Sequence, residues 1–348
     1  MEKIRLGKTG MMVTRLGFGG IPIQKVSESE AIAVVRRCLE LGINYIDTGI
    51  SYTTSEERIG KAIAGRRKDV ILATKSRARD RETMESHIKL SLKRLGVEYI
   101  DLYQFHNVTQ PDEMEAVLAP NGPLTVMEAA KKAGLVRHIG VTSHTIALAI
   151  KLVKTGRFET IMVPFNFVEW DAVKELLPLA KKLDVGFIAM KPLAGGMLDN
   201  VNIAFRYLFQ FPDVVPIPGI EKVQEIEEIV GVLEGPHKLT AAEQSEMERL
   251  REELSKSFCH RCEYCQPCKE GVPISNIMVI PSFAKRTPPV WMFGDGLLSG
   301  WVEKAANCVK CGECEQRCPY GLPIRDMMDE HINWYLSERK KYQEKAKK

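Results

Sequence analysis

From Arg15 to Leu233 the chain repeats one pattern: a short apolar run of strand length, then a longer segment whose apolar residues recur at helical spacing. Before it, a hairpin is predicted over 4–14, with a glycine-centred turn between short alternating segments. The first strand follows at 15–20. Its Gly17-x-Gly19 start is no dinucleotide fingerprint, because Pro22 holds the sixth position. Ser27 and Glu30 form a capping box that opens the first helix, which runs through Leu41-Gly42 into a strand ending at Asp47. Further helices are predicted over 55–66, 83–96, 114–118 with 124–134, 145–155, 171–183, 201–209 and 222–233. Between them lie strands ending at Lys75, His106, Thr142, Phe167, Lys191 and Ile217. Strand and helix in such alternation predict an α/β fold, one closed (β/α)8 TIM barrel, with an open doubly wound sheet as runner-up.

Gly235-Pro236 ends the pattern, so the barrel is assigned to residues 1–235. A charged helix at 240–255 has little apolar face and is read as a connector spanning 236–257. Residues 258–348 form a separate segment that carries the cysteines and ends in a helix. The Lys-rich end after Trp334 (Lys340, Lys341, Lys345, Lys347, Lys348) is read as a solvated tail.

Three successive strand ends present Asp47, Lys75 and His106, and Tyr52 follows Asp47 in its loop. In a parallel barrel the strand C-termini share one face, where polar residues read as catalytic rather than structural. Taken singly, Asp47 is a helix cap, Lys75 a solvated strand end and His106 a core histidine. Together they make a chemical set. A phenol is a poor proton donor at neutral pH unless a cation lies close by, and Lys75 would be that cation, kept charged by Asp47. Tyr52 would then give a proton to a carbonyl oxygen, with neutral His106 donating a hydrogen bond to the same oxygen. No nucleophile setting is visible, and reduction of a carbonyl by hydride fits the gap.

The net charge of +4 and the lack of a basic stripe with interleaved aromatics argue against nucleic acid. No apolar run approaches a membrane span, and Met1-Glu2-Lys3-Ile4-Arg5 has no signal-peptide core, so a cytoplasmic protein is expected. Of nine cysteines, only Cys38 lies outside the stretch from Cys259 to Cys318, and it reads as a buried thiol. Such clustering in a cytoplasmic chain means metal rather than disulfides.

Cys259, Cys262, Cys265 and Cys268 stand at successive two-residue gaps; Cys308, Cys311, Cys314 and Cys318 repeat the run, with a three-residue last gap and a following Pro319. The tails align too, Gly271-Val272-Pro273-Ile274 against Gly321-Leu322-Pro323-Ile324. The second copy is the bacterial ferredoxin run, whose fourth cysteine reaches the other cluster. Zinc is the rival, but zinc sites do not need three cysteines at successive two-residue gaps, so the spacing favours two [4Fe-4S] clusters. One is expected on Cys259, Cys262, Cys265 and Cys318, the other on Cys308, Cys311, Cys314 and Cys268. The insert between the runs, with Pro288-Pro289, Trp291 and Trp301, is expected to complete this segment's core rather than to shape a substrate pocket.

The stretch Ile46-Asp47-Thr48-Gly49 through Tyr52, Ser55-Glu56 and Gly60, with Lys75 and His106, resembles the aldo-keto reductases over residues 4–235. With the cysteine segment, the whole resembles their ferredoxin-like branch. The resemblance implies a barrel, NADH or NADPH, Tyr52 as the acid, and Asp47, Lys75 and His106 as its partners. It implies nucleotide contacts at Gly20, Thr142, Ser143, Leu193, Gly195, Gly219 and Lys222. The nucleotide side departs from the pattern: Thr142-Ser143 replaces Ser-Asn, Met162 a glutamine and Met190 a stacking tyrosine. Glu221 and Glu225 would repel a 2′-phosphate, with Lys222 offsetting part of this, so NADH is expected over NADPH.

The reading is thus an oxidoreductase that interconverts a small carbonyl or alcohol substrate, with two [4Fe-4S] clusters and a redox partner protein for them. The alternative is an iron-sulphur electron-transfer or docking protein on a barrel scaffold whose nicotinamide site is vestigial.

Overall fold

The computed structural model describes residues 1–348 except 256, 257, 285, 286, 295, 296, 347 and 348. It divides into two compact units, Met1–Gln244 and Ser245–Lys348.

In the first unit β1 (Lys3–Arg5) and β2 (Met12–Thr14) pair antiparallel as the N-terminal hairpin. Eight strands follow: β3 (Phe18–Gly19), β4 (Tyr45–Asp47), β5 (Ile71–Ser76), β6 (Ile100–Phe105), β7 (Val136–Thr142), β8 (Thr160–Pro164), β9 (Gly186–Met190) and β10 (Val214–Ile217). Each pairs parallel with its neighbour in the chain, and a parallel bridge between Gly19 and Gly219 links the first to the last. The eight strands therefore form the expected barrel and not the open doubly wound sheet. Around it run α1 (Glu28–Glu40), α2 (Ser55–Ala62), α3 (Arg81–Leu95), α4 (Pro111–Leu118), α5 (Pro123–Lys132), α6 (Ile146–Lys154), α7 (Leu176–Lys182), α8 (Val201–Leu208) and α9 (Val223–Glu234).

Local chemistry sets the helix ends. Ser27 and Glu30 close the predicted capping box on α1. Asp80 opens α3 by accepting from the Thr83 N–H at 2.8 Å, earlier than the pattern implied, and Gly96 ends it at φ +64°. The helix predicted over 171–183 is instead a 3-10 turn at Asp171–Val173 followed by α7. Pro178 accounts for the break: inside one long helix its ring would clash with the carbonyl four residues back, whereas in the first turn of α7 its missing N–H costs nothing.

Leu6, Val13, Tyr45, Ala73, Leu102, Met162, Ile188 and Val215 fill the barrel interior, all buried. Each large apolar side chain there stabilises the fold by about 1.5–3 kcal/mol. Because strand side chains alternate, the residues two positions after Tyr45, Ala73 and Leu102 stand one layer higher on the same inner face. Those residues are Asp47, Lys75 and Gln104.

The second unit carries most of α10 (Ala241–Ser255), then α11 (Ile274–Met278), α12 (Ile280–Ala284), α13 (Pro289–Phe293), α14 (Leu297–Ala305), α15 (Glu313–Gln316) and α16 (Ile324–Ala346), with no strand among its described residues. Its core gathers Ile277, Ile280, Met292, Leu298, Met328 and Tyr335, and Trp301 packs against them. The insert therefore does contribute to this core, although Trp291 is 62% exposed. Lys340, Lys341 and Lys345 lie on α16, while Lys347 and Lys348 fall outside the described residues. Among the described residues no helix is long and apolar enough to cross a membrane.

Candidate active site and cysteine segment

The layer above the barrel's apolar filling brings the expected residues together. Lys75 Nζ donates to Asp47 Oδ1 and, at 2.7 Å, to the Thr48 carbonyl; all three residues are buried. It also lies 5.0 Å from the centroid of the Tyr52 ring. Tyr52 and His106 meet edge to face, 5.8 Å between centroids and 86° between planes. Gly49 allows this closeness, since a Cβ there would stand 3.2 Å from Lys75 Cγ and 3.4 Å from Tyr52 Cζ.

Burial alone would push the Lys75 ammonium down, but the Asp47 carboxylate and the Tyr52 phenol hold it above its ordinary value. Burial pushes the Asp47 carboxyl up, against the Lys75 ammonium and the Gln104 amide. The pair is charged as placed, because each Asp47 oxygen has a donor. Gln104 is the residue that sequence reasoning missed: its Nε2 donates to Asp47 Oδ2 at 2.9 Å. The signal was there, because Gln104 and His106 share one strand face by alternation.

The loop beyond His106 is fixed. Asn107 has a left-handed backbone at φ +59°, its N–H donates to Thr142 Oγ1 at 2.7 Å, and Arg79 donates to the carbonyls of His106 and Asn107 and to Glu113. The expected nucleotide residues fare unevenly. The Thr142 hydroxyl is engaged by Asn107, and Ser143 Oγ makes a local turn with the Thr145 backbone. Met162 belongs to the barrel core and Met190 packs on it. Gly20 lies against the Asp47 carbonyl and the Ser55 hydroxyl, and Gly219 against Pro22. After β9, left-handed backbone at Lys191, Ala194, Gly195 and Gly196 coils the loop that holds Leu193. Glu225 turns back to accept from the N–H groups of Glu221 and Lys222, capping α9, and Glu221 pairs with Lys25 at 3.4 Å. Both carboxylates thus have partners within the protein, Glu225 in the backbone and Glu221 in Lys25.

Residues 15–203 match the sequence profile of the aldo/keto reductase family. The chain belongs to the aldo/keto reductase family. Among its relatives, the aldo-keto reductase YhdN of Bacillus subtilis is 31% identical over 233 residues, covering 62% of this chain and 68% of the relative. L-galactose dehydrogenase of Arabidopsis thaliana is 32% identical over 217 residues, 57% of this chain and 67% of that protein. Among solved structures, the aldo-keto reductase AKR11C1 from Bacillus halodurans superposes with a TM-score of 0.63 at 25% identity, over 72% of this chain and 96% of its own. The protein is an oxidoreductase of this family.

In the second unit the cysteine repeat is also a backbone repeat. Arg261 and Lys310, each before the second cysteine of its run, are left-handed at φ +58° and +57°. Glu263 and Gly312, each after it, are left-handed at +66° and +80°. Gly271 N donates to the Cys268 carbonyl at 3.0 Å, and Gly321 N to that of Cys318 at 3.2 Å. A non-glycine residue at positive φ is uncommon, and runs that alternate hand turn successive N–H groups inward as a nest. The Arg261 N–H points at Cys259 Sγ, 3.4 Å away. Cys268 lines a cavity of about 110 Å³ together with Cys308, Cys311 and Cys314. Burial pushes the Cys262 thiol up, and Cys318 beside it adds to the effect. Among the described residues no group of three or more His, Cys, Asp or Glu side chains is arranged to hold a single metal ion.

Proposed function

We propose that this oxidoreductase interconverts a carbonyl and an alcohol at the mouth of its barrel, using NADH or NADPH. The observation that carries the reading is the buried Asp47–Lys75 pair set beneath Tyr52, with His106 edge-on to the same ring. Lys75, held charged, favours release of the phenolic proton as negative charge grows on the substrate oxygen, and the phenol recovers that proton in the reverse direction. His106 would orient the carbonyl by a hydrogen bond. A bound nicotinamide supplies or accepts the hydride. Gly20, Leu193, Gly195, Gly219 and Lys222 would hold the nucleotide, and the left-handed loop after β9 suits an anionic group. Thr142 and Ser143 would contribute position rather than hydroxyls.

In the same chain, residues 258–348 would hold two [4Fe-4S] clusters, crossed between the runs. Four thiolates about 2.3 Å from one zinc ion sit about 3.8 Å apart and leave no void between them. A cavity of about 110 Å³ with four cysteines among its lining residues leaves room for a larger inorganic core, and inward N–H groups are the donors that iron-sulphur sites use. The cysteines available as ligands are Cys259, Cys262, Cys265 and Cys318, and Cys268, Cys308, Cys311 and Cys314. A redox partner protein would exchange their electrons.

One observation favours the rival, an electron-transfer or docking protein with a vestigial nicotinamide site: the hydroxyls of Thr142 and Ser143 are already engaged. Titration of anaerobically purified protein with NADH and NADPH, followed by nicotinamide fluorescence, separates the two. Saturation by at least one nucleotide is expected, and no binding of either would favour the rival. Iron and sulphide analysis with spectroscopy tests the clusters. Cys268→Ser is expected to damage the cluster held by Cys308, Cys311 and Cys314 while the other survives. Loss of only the cluster on Cys259, Cys262 and Cys265 would overturn the crossing, and zinc without iron in the wild-type protein would end the cluster reading.

A further inference from the structure

Gln104 stands on β6 at the register position paired with Lys75 and is fully buried. An ionised carboxylate only accepts, so the amide must face Asp47 with its amino end, and that end donates at 2.9 Å. The other end, Oε1, is buried with no hydrogen-bond partner among the described residues. A bare buried acceptor is unfavourable. A leucine, such as Leu102 one layer below on the same strand, would fill the space without leaving one. What the amide contributes here is therefore its donor and not its packing.

We infer that Gln104 is a positioning residue: by gripping Oδ2 it holds Asp47 with Oδ1 turned to Lys75, and through that pair it holds the ammonium beneath the Tyr52 phenol. The inference rests on the reading of this site as a carbonyl-reducing centre. Asp47 faces Lys75 from β5 and the Tyr45 phenol from its own strand; Tyr52 adjoins Lys75 and meets His106, while β3 contributes Phe18 and Gly19 and no charge. Without the amide, Lys75 alone opposes the upward push of burial on the Asp47 carboxyl.

The test is infrared titration of the Asp47 carboxylic-acid band, identified by its loss in Asp47→Asn, in the wild type and in Gln104→Leu. The protonation midpoint is expected to rise by about one unit in Gln104→Leu. In parallel, kcat for 4-nitrobenzaldehyde reduction should fall about 10–100-fold near neutral pH, with the nicotinamide KM within about twofold. Gln104→Glu should show the opposite pH dependence, regaining rate as pH falls, because only a protonated carboxyl can donate to Asp47. If Gln104→Leu does not fold, Gln104→Glu still decides. An unmoved Asp47 midpoint, or wild-type pH profiles in both variants, would overturn the inference. Tyr52→Phe keeps the two readings apart: full activity there would refute the site, while the infrared midpoint continues to judge Gln104.

Discussion

The two ends of the barrel each bury an aspartate gripped by a cation, and they use it differently. At the strand starts, Asp101 accepts from the Leu72 N–H at 2.9 Å, from Arg67 at 2.7 Å and from Arg137 at 3.2 Å. Both guanidinium groups also lie against the Tyr99 ring, 4.1 and 3.7 Å from its centroid. Arginine does not give up its proton in proteins, so the cations of that cluster stay cations. At the strand ends, Asp47 is gripped by a lysine and an amide, and the lysine adjoins a phenol that in turn faces an imidazole. A buried ion pair alone is therefore no sign of chemistry. What distinguishes the upper end is that its cation is a lysine beside a phenol that faces an imidazole.

The sharpest way to break this contrast is to remove one charged partner at each end. Lys75→Met is expected to lower the carbonyl-reduction rate by about 10²–10⁴ while nicotinamide affinity stays within a few-fold, as steady-state kinetics and fluorescence binding would show. Asp101→Asn, by contrast, should leave kcat within about twofold and cost about 1–3 kcal/mol of stability in a denaturant melt, since it removes a buried carboxylate that accepts from two arginines and the Leu72 N–H. A large loss of kcat in Asp101→Asn would erase the distinction between the ends.

A smaller effect sharpens the lower end. Burial opposes ionisation of Glu159, but hydrogen bonds from His138, Lys131 and the Ile139 N–H overcome it and hold the carboxyl down at about 2. Its folded value lies below the ordinary 4.5, so its contribution is present above about pH 4.5 and is lost as pH falls through 2. Wild type should therefore exceed Glu159→Gln in melting temperature by a few degrees at pH 7, and the gap should close near pH 2. A gap unchanged at low pH would contradict this.

Much of this was legible in the chain. The barrel follows from alternating periodicities, and the Asp47, Lys75 and His106 ends from their spacing. The missed features are those that depend on what a side chain meets in space. Gln104 was hidden by its ordinary place inside an apolar strand, and the Asp101 cluster joins three segments that share no motif. Glu221 and Glu225 were read as facing a ribose because charge is visible in sequence and direction is not; a cap and an ion pair take them both. Pro178 was readable, since proline seldom sits deep inside a helix.

The central claim is that the upper cluster works as a proton donor to a carbonyl. Tyr52→Phe tests it most directly, measured as single-turnover reduction of 4-nitrobenzaldehyde alongside nicotinamide binding. A fall of about 10²–10⁴ in the chemical step, with binding within a few-fold, is the predicted result. Turnover equal to the wild type would contradict it.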